Sequence, residues 1–133
     1  MKSYVLRLRK GDEAIKKIGH FCDSKNITSA WFSGLGAASS ANLSIYDLSK
    51  KDYILREFSG KLEVLNLLGN VGKLDGKTTV HCHATLSDET FSAFGGHLNS
   101  LIVAATCEII LHQLDIKLTR KFDKGIGLNL LEL

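Results

Sequence analysis

Thr79-Val80-His81-Cys82-His83-Ala84-Thr85-Leu86 is the stretch on which the reading of this chain turns. Polar and apolar residues alternate through it, which is the period of a β-strand, where successive side chains point to opposite faces. Thr79, His81, His83 and Thr85 then share one face, and Val80, Cys82, Ala84 and Leu86 share the other. One face is core and the other presents two imidazoles. With a rise of about 3.3 Å per residue, side chains two apart root about 6.5 Å from each other, and both can turn toward one ion. Cys82 falls on the apolar face and reads as a small core residue, not a ligand.

A third donor has to come from another part of the chain, and His97 is the simplest choice. It follows Gly95-Gly96, a pair that lets a backbone turn sharply and approach closely where a Cβ would clash. Three neutral imidazoles suit zinc and some other divalent metals, and leave a coordination position for water or an anion. His-X-His also occurs on half-exposed strands that bind nothing, so spacing alone leaves both readings open.

Upstream of the histidines, Asp75-Gly76 predicts a tight turn, and Lys61 to Leu68 predicts a strand ended by Gly69-Asn70 and lying beside His81. Ala41 to Tyr46 and Tyr53 to Phe58 read as two further strands around a polar turn, spaced closely enough to favour antiparallel pairing. Gly34 to Ser40 has side chains too small for an ordinary strand and predicts a bend with close backbone approach. It lacks the Gly-Lys-Ser/Thr ending of a nucleotide loop. Ile27 to Phe32 suits a short strand, and Tyr4 to Arg9 a first one. Between them Asp12 is expected to cap a helix that turns Ile15, Ile18 and Phe21 inward and leaves at Asn26.

Downstream, Ser87 to Thr90 reads as a polar loop, and Phe91 to Leu98 has no clear period. A short helical or irregular piece is expected near Ser100, then strands over Ala105 to Leu111, Ile116 to Phe122 and Leu128 to Leu133. Glu108, inside an apolar run, must face water or meet a cationic partner. His20 and His112 read as surface or satisfied core residues. The expected fold class is α+β: a mainly antiparallel β-sheet with one main helix packed on it, in a single domain over residues 1–133.

Composition agrees with an ordinary globular chain, 44% hydrophobic and 23% charged. No apolar stretch nears the roughly 20 residues of a membrane span, and a soluble protein is expected. Three cysteines at 22, 82 and 107 make no disulfide framework, and the first residues lack the apolar run of a secretory signal. The cytoplasm is the natural compartment. The net charge of +3 is spread out, and pairs such as Lys50-Lys51 and Arg120-Lys121 read as solvated surface rather than a phosphate track. Apolar residues on both faces of Leu62 to Leu68 and throughout Ile102 to Leu114 exceed what one helix can cover, so self-assembly is expected.

The order Arg9-Lys10-Gly11-Asp12-Glu13, Ser33-Gly34-Leu35-Gly36-Ala37, Gly60 to Asn70, Asp75-Gly76, His81-Cys82-His83 and Gly95-Gly96-His97-Leu98 resembles the plants-and-prokaryotes conserved (PPC) domain over nearly the whole chain. The resemblance implies a compact α+β homotrimer. It also implies that His81, His83 and His97 form a divalent metal site, zinc being the expected ion, with an open position for water or a small anionic ligand. Plant relatives carry an Arg-Gly-Arg-Pro segment that reads A·T-rich DNA. This sequence contains no proline and no such segment, so DNA binding is expected to be weak or absent. Two roles stay open. The site could do chemistry, with Glu63 or Glu108 as general base, or it could be a structural, protein-interaction or DNA-associated module in which the metal is only structural.

Overall fold

A computed structural model describes all 133 residues. Strand β1 spans Lys2–Arg9, helix α1 Ala14–Ser24, β2 Ala30–Asp47, β3 Asp52–Leu74, β4 Lys77–Ser87, β5 Ala93–Gln113, β6 Thr119–Asp123 and β7 Leu128–Leu131. The pairings are antiparallel except where β3 meets β6. The chain is thus mostly antiparallel sheet with one short helix. β5 pairs with β2, β2 with β3, β3 with β4, and β4 returns to β5, so four strands close a ring. Closure leaves β4 hydrogen-bonded on both sides, with no free edge over its His83 end.

Phe32, Leu67, Cys82, Leu86, Leu101 and Ile109 lie in the buried core, and α1 packs against β4 and β5 through Ala14, Ile18 and Cys22. The helix cap is Glu13, not Asp12. The Glu13 carboxylate accepts from the N–H groups of Ile15, Lys16 and Leu101, tying the helix start to β5. Asp12 instead accepts from the Arg9 N–H and closes the turn before the helix. No helix is long and apolar enough to cross a membrane.

Several expected boundaries give way to longer strands. The bend expected over Gly34 to Ser40 is the middle of β2, where two bulges shift its register against β3. Small residues are needed there because β5 runs close: a Cβ on Gly36 would collide with the Thr106 carbonyl. Tyr53 to Phe58 and Lys61 to Leu68 belong to one strand, β3, which continues through Gly69-Asn70 and sets Asn70 opposite His81. Phe91 to Leu98 and the piece near Ser100 fall largely within β5, because pairing to β4 and β2 outweighs weak local preference. Ile27 lies buried in the connection before β2, not in a strand.

Candidate metal centre

His81 and His83 share one face of β4 as the alternation requires, and Cys82 between them is buried. Burial pushes the Cys82 thiol up to about 12, and its Sγ donates to the His83 carbonyl at 3.4 Å. A protonated, inward-facing thiol is no ligand. His97 on β5 stands directly opposite His83 across the β4–β5 ladder and opposite Ser44 on the β2 side. The ring centroids are 5.2 Å apart for His81 and His83, 5.3 Å for His81 and His97, and 5.5 Å for His83 and His97. One nitrogen from each lies within 4.8 Å of the others. Nitrogens held tetrahedrally at about 2.1 Å from one zinc are about 3.4 Å apart, so small side-chain rotations bring the three onto one ion.

Gly95 and Gly96 do not make the sharp turn expected from the sequence; both lie in extended β5. Their role is close approach. A Cβ on Gly95 would collide with the Ala84 carbonyl, and one on Gly96 would sit 2.9 Å from the Ser44 oxygen. The glycine pair lets β5 fit between β4 and β2, and this fit sets His97 in register with His83.

Two of the rings, His81 and His97, are held toward the neutral form. Burial, then the positive charges of Arg120, His97 and His83, lower His81 to about 4. Burial and His83 lower His97. Neutral imidazoles are the form that ligates, so the donor set fits a divalent ion of zinc type.

Beside the rings lies an open cavity of about 290 Å³, lined by Tyr53, His81, His97, Arg120 and Asn129 among others, with the β6–β7 hairpin forming one wall. Tyr53 packs on His97 with ring centroids 5.3 Å apart. Arg120 corrects the reading of Arg120-Lys121 as solvated surface, since only 9% of it is exposed. Its Nη2 donates to Asn70 Oδ1 at 2.8 Å and contacts His81 Nδ1 at 3.1 Å, while Nη1 donates to the Asn129 carbonyl at 3.0 Å. Nε has no partner, and no carboxylate lies within ion-pair distance. The sequence carried one faint signal: Arg120 alternates in phase with Leu118 and out of phase with Lys121.

Glu63 and Glu108 are both exposed, and neither lines the cavity. Glu108 pairs in register with Arg7 of β1 and Leu35 of β2, and Glu63 with Ser87 and Ala37. No general base therefore comes from them. His20 is exposed, and His112 stacks on Trp31 at 4.6 Å and bonds Ser3 Oγ at 2.8 Å. Neither joins the cluster.

Set beside known proteins, the chain is similar to a metal-containing protein of Archaeoglobus fulgidus, 36% identical, over 100% of this chain and 94% of that one, with a TM-score of 0.93. It is similar to a plant- and prokaryote-conserved protein of Pyrococcus horikoshii, 33% identical over 100% of this chain and 92% of that one, with a TM-score of 0.94. It is also 31% identical over 113 residues to the bifunctional protein GlmU of a Synechococcus strain; the match takes in 84% of this chain but spans only 17% of GlmU. Residues 1–115 match the Plants and Prokaryotes Conserved (PCC) domain, and the chain belongs to that family.

Proposed function

We propose that this domain holds a divalent metal, zinc, on His81, His83 and His97, with the fourth position open to a small ligand, and that it works as a homotrimer. The convergence of three imidazoles, those of His81 and His97 lining a cavity, carries the reading. The likeness to a metal-containing relative supports it. When bound, the ion supplies a Lewis-acidic position for a small anion. The chain's own residues orient the site: the β4–β5 register sets His83 against His97, Tyr53 packs on His97, and the hairpin forms one wall of the cavity.

Assembly is supported by exposed apolar side chains. Val5, Leu35, Leu65 and Ile110 surround one shallow depression, and each is at least half exposed. Leu68, also exposed, stands opposite His83 in the β3–β4 ladder, so this surface reaches the strand that carries the site. Such a patch on a lone chain is unfavourable in water, and association relieves it.

The second reading is a structural or protein-interaction module whose metal only ties β4 to β5. The lack of any Asp or Glu in the cavity wall favours it over hydrolytic chemistry. DNA association draws little support from a scattered charge of +3, and affinity for duplex DNA at physiological salt should be no better than about 10⁻⁶ M. Elemental analysis with light scattering tests the leading reading. One divalent ion per chain and a mass near three times 14.6 kDa are expected. A metal-free protein after growth in zinc, or a monodisperse monomer, overturns the corresponding half.

A further inference from the structure

We infer that the cavity under the β6–β7 hairpin is a metal-dependent site for a short-chain carboxylate, with Arg120 as the residue that recognises it. The inference rests on the three-histidine reading above and goes on to name the ligand class and its receptor. Arg120 is more than nine-tenths buried, its Nε has no partner, and no carboxylate neutralises it. A guanidinium taken out of water without an anion is destabilised, and a divalent ion on three imidazoles next to it raises the excess of positive charge. The cavity wall contains no acidic side chain, so the compensating charge has to come from outside the chain.

The contact between Arg120 and His81 couples this anion to the metal. A neutral imidazole has one lone pair, and a guanidinium only donates, so the 3.1 Å contact occupies the lone pair of His81 Nδ1 and leaves the ring proton on Nε2. Ligation through Nδ1 takes that lone pair. Ligation through Nε2 sends the proton to Nδ1, which then has nothing to offer a donor. On either route Arg120 loses its acceptor on His81, and an N–H of Nη2 is freed beside Nε, which is unpartnered but sealed from open space and is reached by a ligand only as the guanidinium shifts. Two donors on a planar fork match a carboxylate. Leu74, Val80, Leu128 and Leu130 give the wall an apolar part that suits an aliphatic chain, beside the polar Thr79 and Asn129. The cavity, about 290 Å³, lies at the small end of ligand sites and limits that chain to a few carbons.

The test uses the full chain stripped with chelator and titrated with cobalt(II), followed by visible absorption, with butyrate or inorganic phosphate as probe. Wild type should bind one cobalt, butyrate should change the spectrum, and butyrate should tighten cobalt by the same factor by which cobalt tightens butyrate. Metal-free wild type should bind butyrate weakly or not at all. Arg120→Gln should keep its cobalt while its butyrate affinity falls by about thirtyfold or more, and Arg120→Lys should recover part of the loss. Failure of wild type to take cobalt removes the metal reading and this inference with it. Cobalt binding with equal butyrate affinity in wild type and Arg120→Gln overturns the inference alone. Should Arg120→Gln not fold, calorimetry on wild type still decides: butyrate bound equally well with and without cobalt, or phosphate bound more tightly than butyrate, refutes it.

Discussion

The cavity has two unlike walls. β4 is one strand of the closed ring, bonded to β3 along most of its length and to β5 from His83 to Ser87. The β6–β7 hairpin is joined to the ring by only two residue pairs, Lys73 with Thr119 and Leu74 with Arg120. Side-chain links add to this: Tyr46 Oη donates to the Ile126 carbonyl, Lys51 Nζ to the Lys124 carbonyl, and Arg120 to Asn70. Atoms that must meet one ion need positions held to a few tenths of an ångström, and long paired strands provide them. A group that receives a ligand from solvent is better carried on a lightly tethered element that can yield, since few backbone bonds oppose its local opening. The family match divides in the same place, for residues 1–115 include the three histidines and none of the hairpin.

The largest expected effect tests the ring wall. His81→Ala, His83→Ala or His97→Ala should each lower metal affinity more than about a hundredfold, beyond what loss of a supporting residue costs, and His20→Ala and His112→Ala should leave it unchanged. Metal content by elemental analysis reads this, and an equal loss at His112 would break the assignment. Next comes a pair of matched substitutions, one in each wall. Gly95→Ala forces a Cβ against the Ala84 carbonyl and should cost about 1–3 kcal/mol in thermal or urea unfolding. Gly125→Ala in the hairpin meets only the Asp123 side chain, 3.2 Å away, and should cost less than about 0.5 kcal/mol. Equal costs would mean that the two walls are equally constrained.

A smaller effect links both walls through pH. His81 has a folded-state value of about 4, below its ordinary 6.5, so as pH falls from 6.5 toward 4 the unfolded chain takes up a proton that the folded chain does not. The metal-free protein should therefore show its full stability above about pH 6.5 and lose part of it toward pH 4, an effect moderated by solvent because His81 is only half-buried. Urea midpoints at pH 8 and pH 5 measure it. Burial is the first cause of the shift and Arg120 the second, so Arg120→Gln should narrow the difference between the two midpoints; a wider one would contradict this. The smallest effect is expected at the neighbour of Arg120. Lys121→Ala, exposed on the hairpin, should change stability by less than about 0.5 kcal/mol and leave metal affinity as it is.

Much of the histidine strand was legible from the chain alone. Which way His81, Cys82 and His83 face is a local property of an extended backbone, so alternation placed two imidazoles outside and the thiol in the core before any partner strand was known. The order of short motifs marked the family because those residues lie close together in the chain. Tertiary structure alone decided the rest. The expected breaks at Gly34 to Ser40, at Gly69-Asn70 and near Ser100 disappeared into long strands because the first two segments found partners on both sides and the third paired with β2, and local preference carries no account of a partner. The same holds for Glu63 and Glu108, whose distance from the histidines follows from sheet register. It holds most of all for Arg120. Its burial against His81, 39 positions earlier in the chain, depends on a hairpin folding back over a ring already closed, and hydrogen bonds between residues so far apart leave no periodic trace in the sequence.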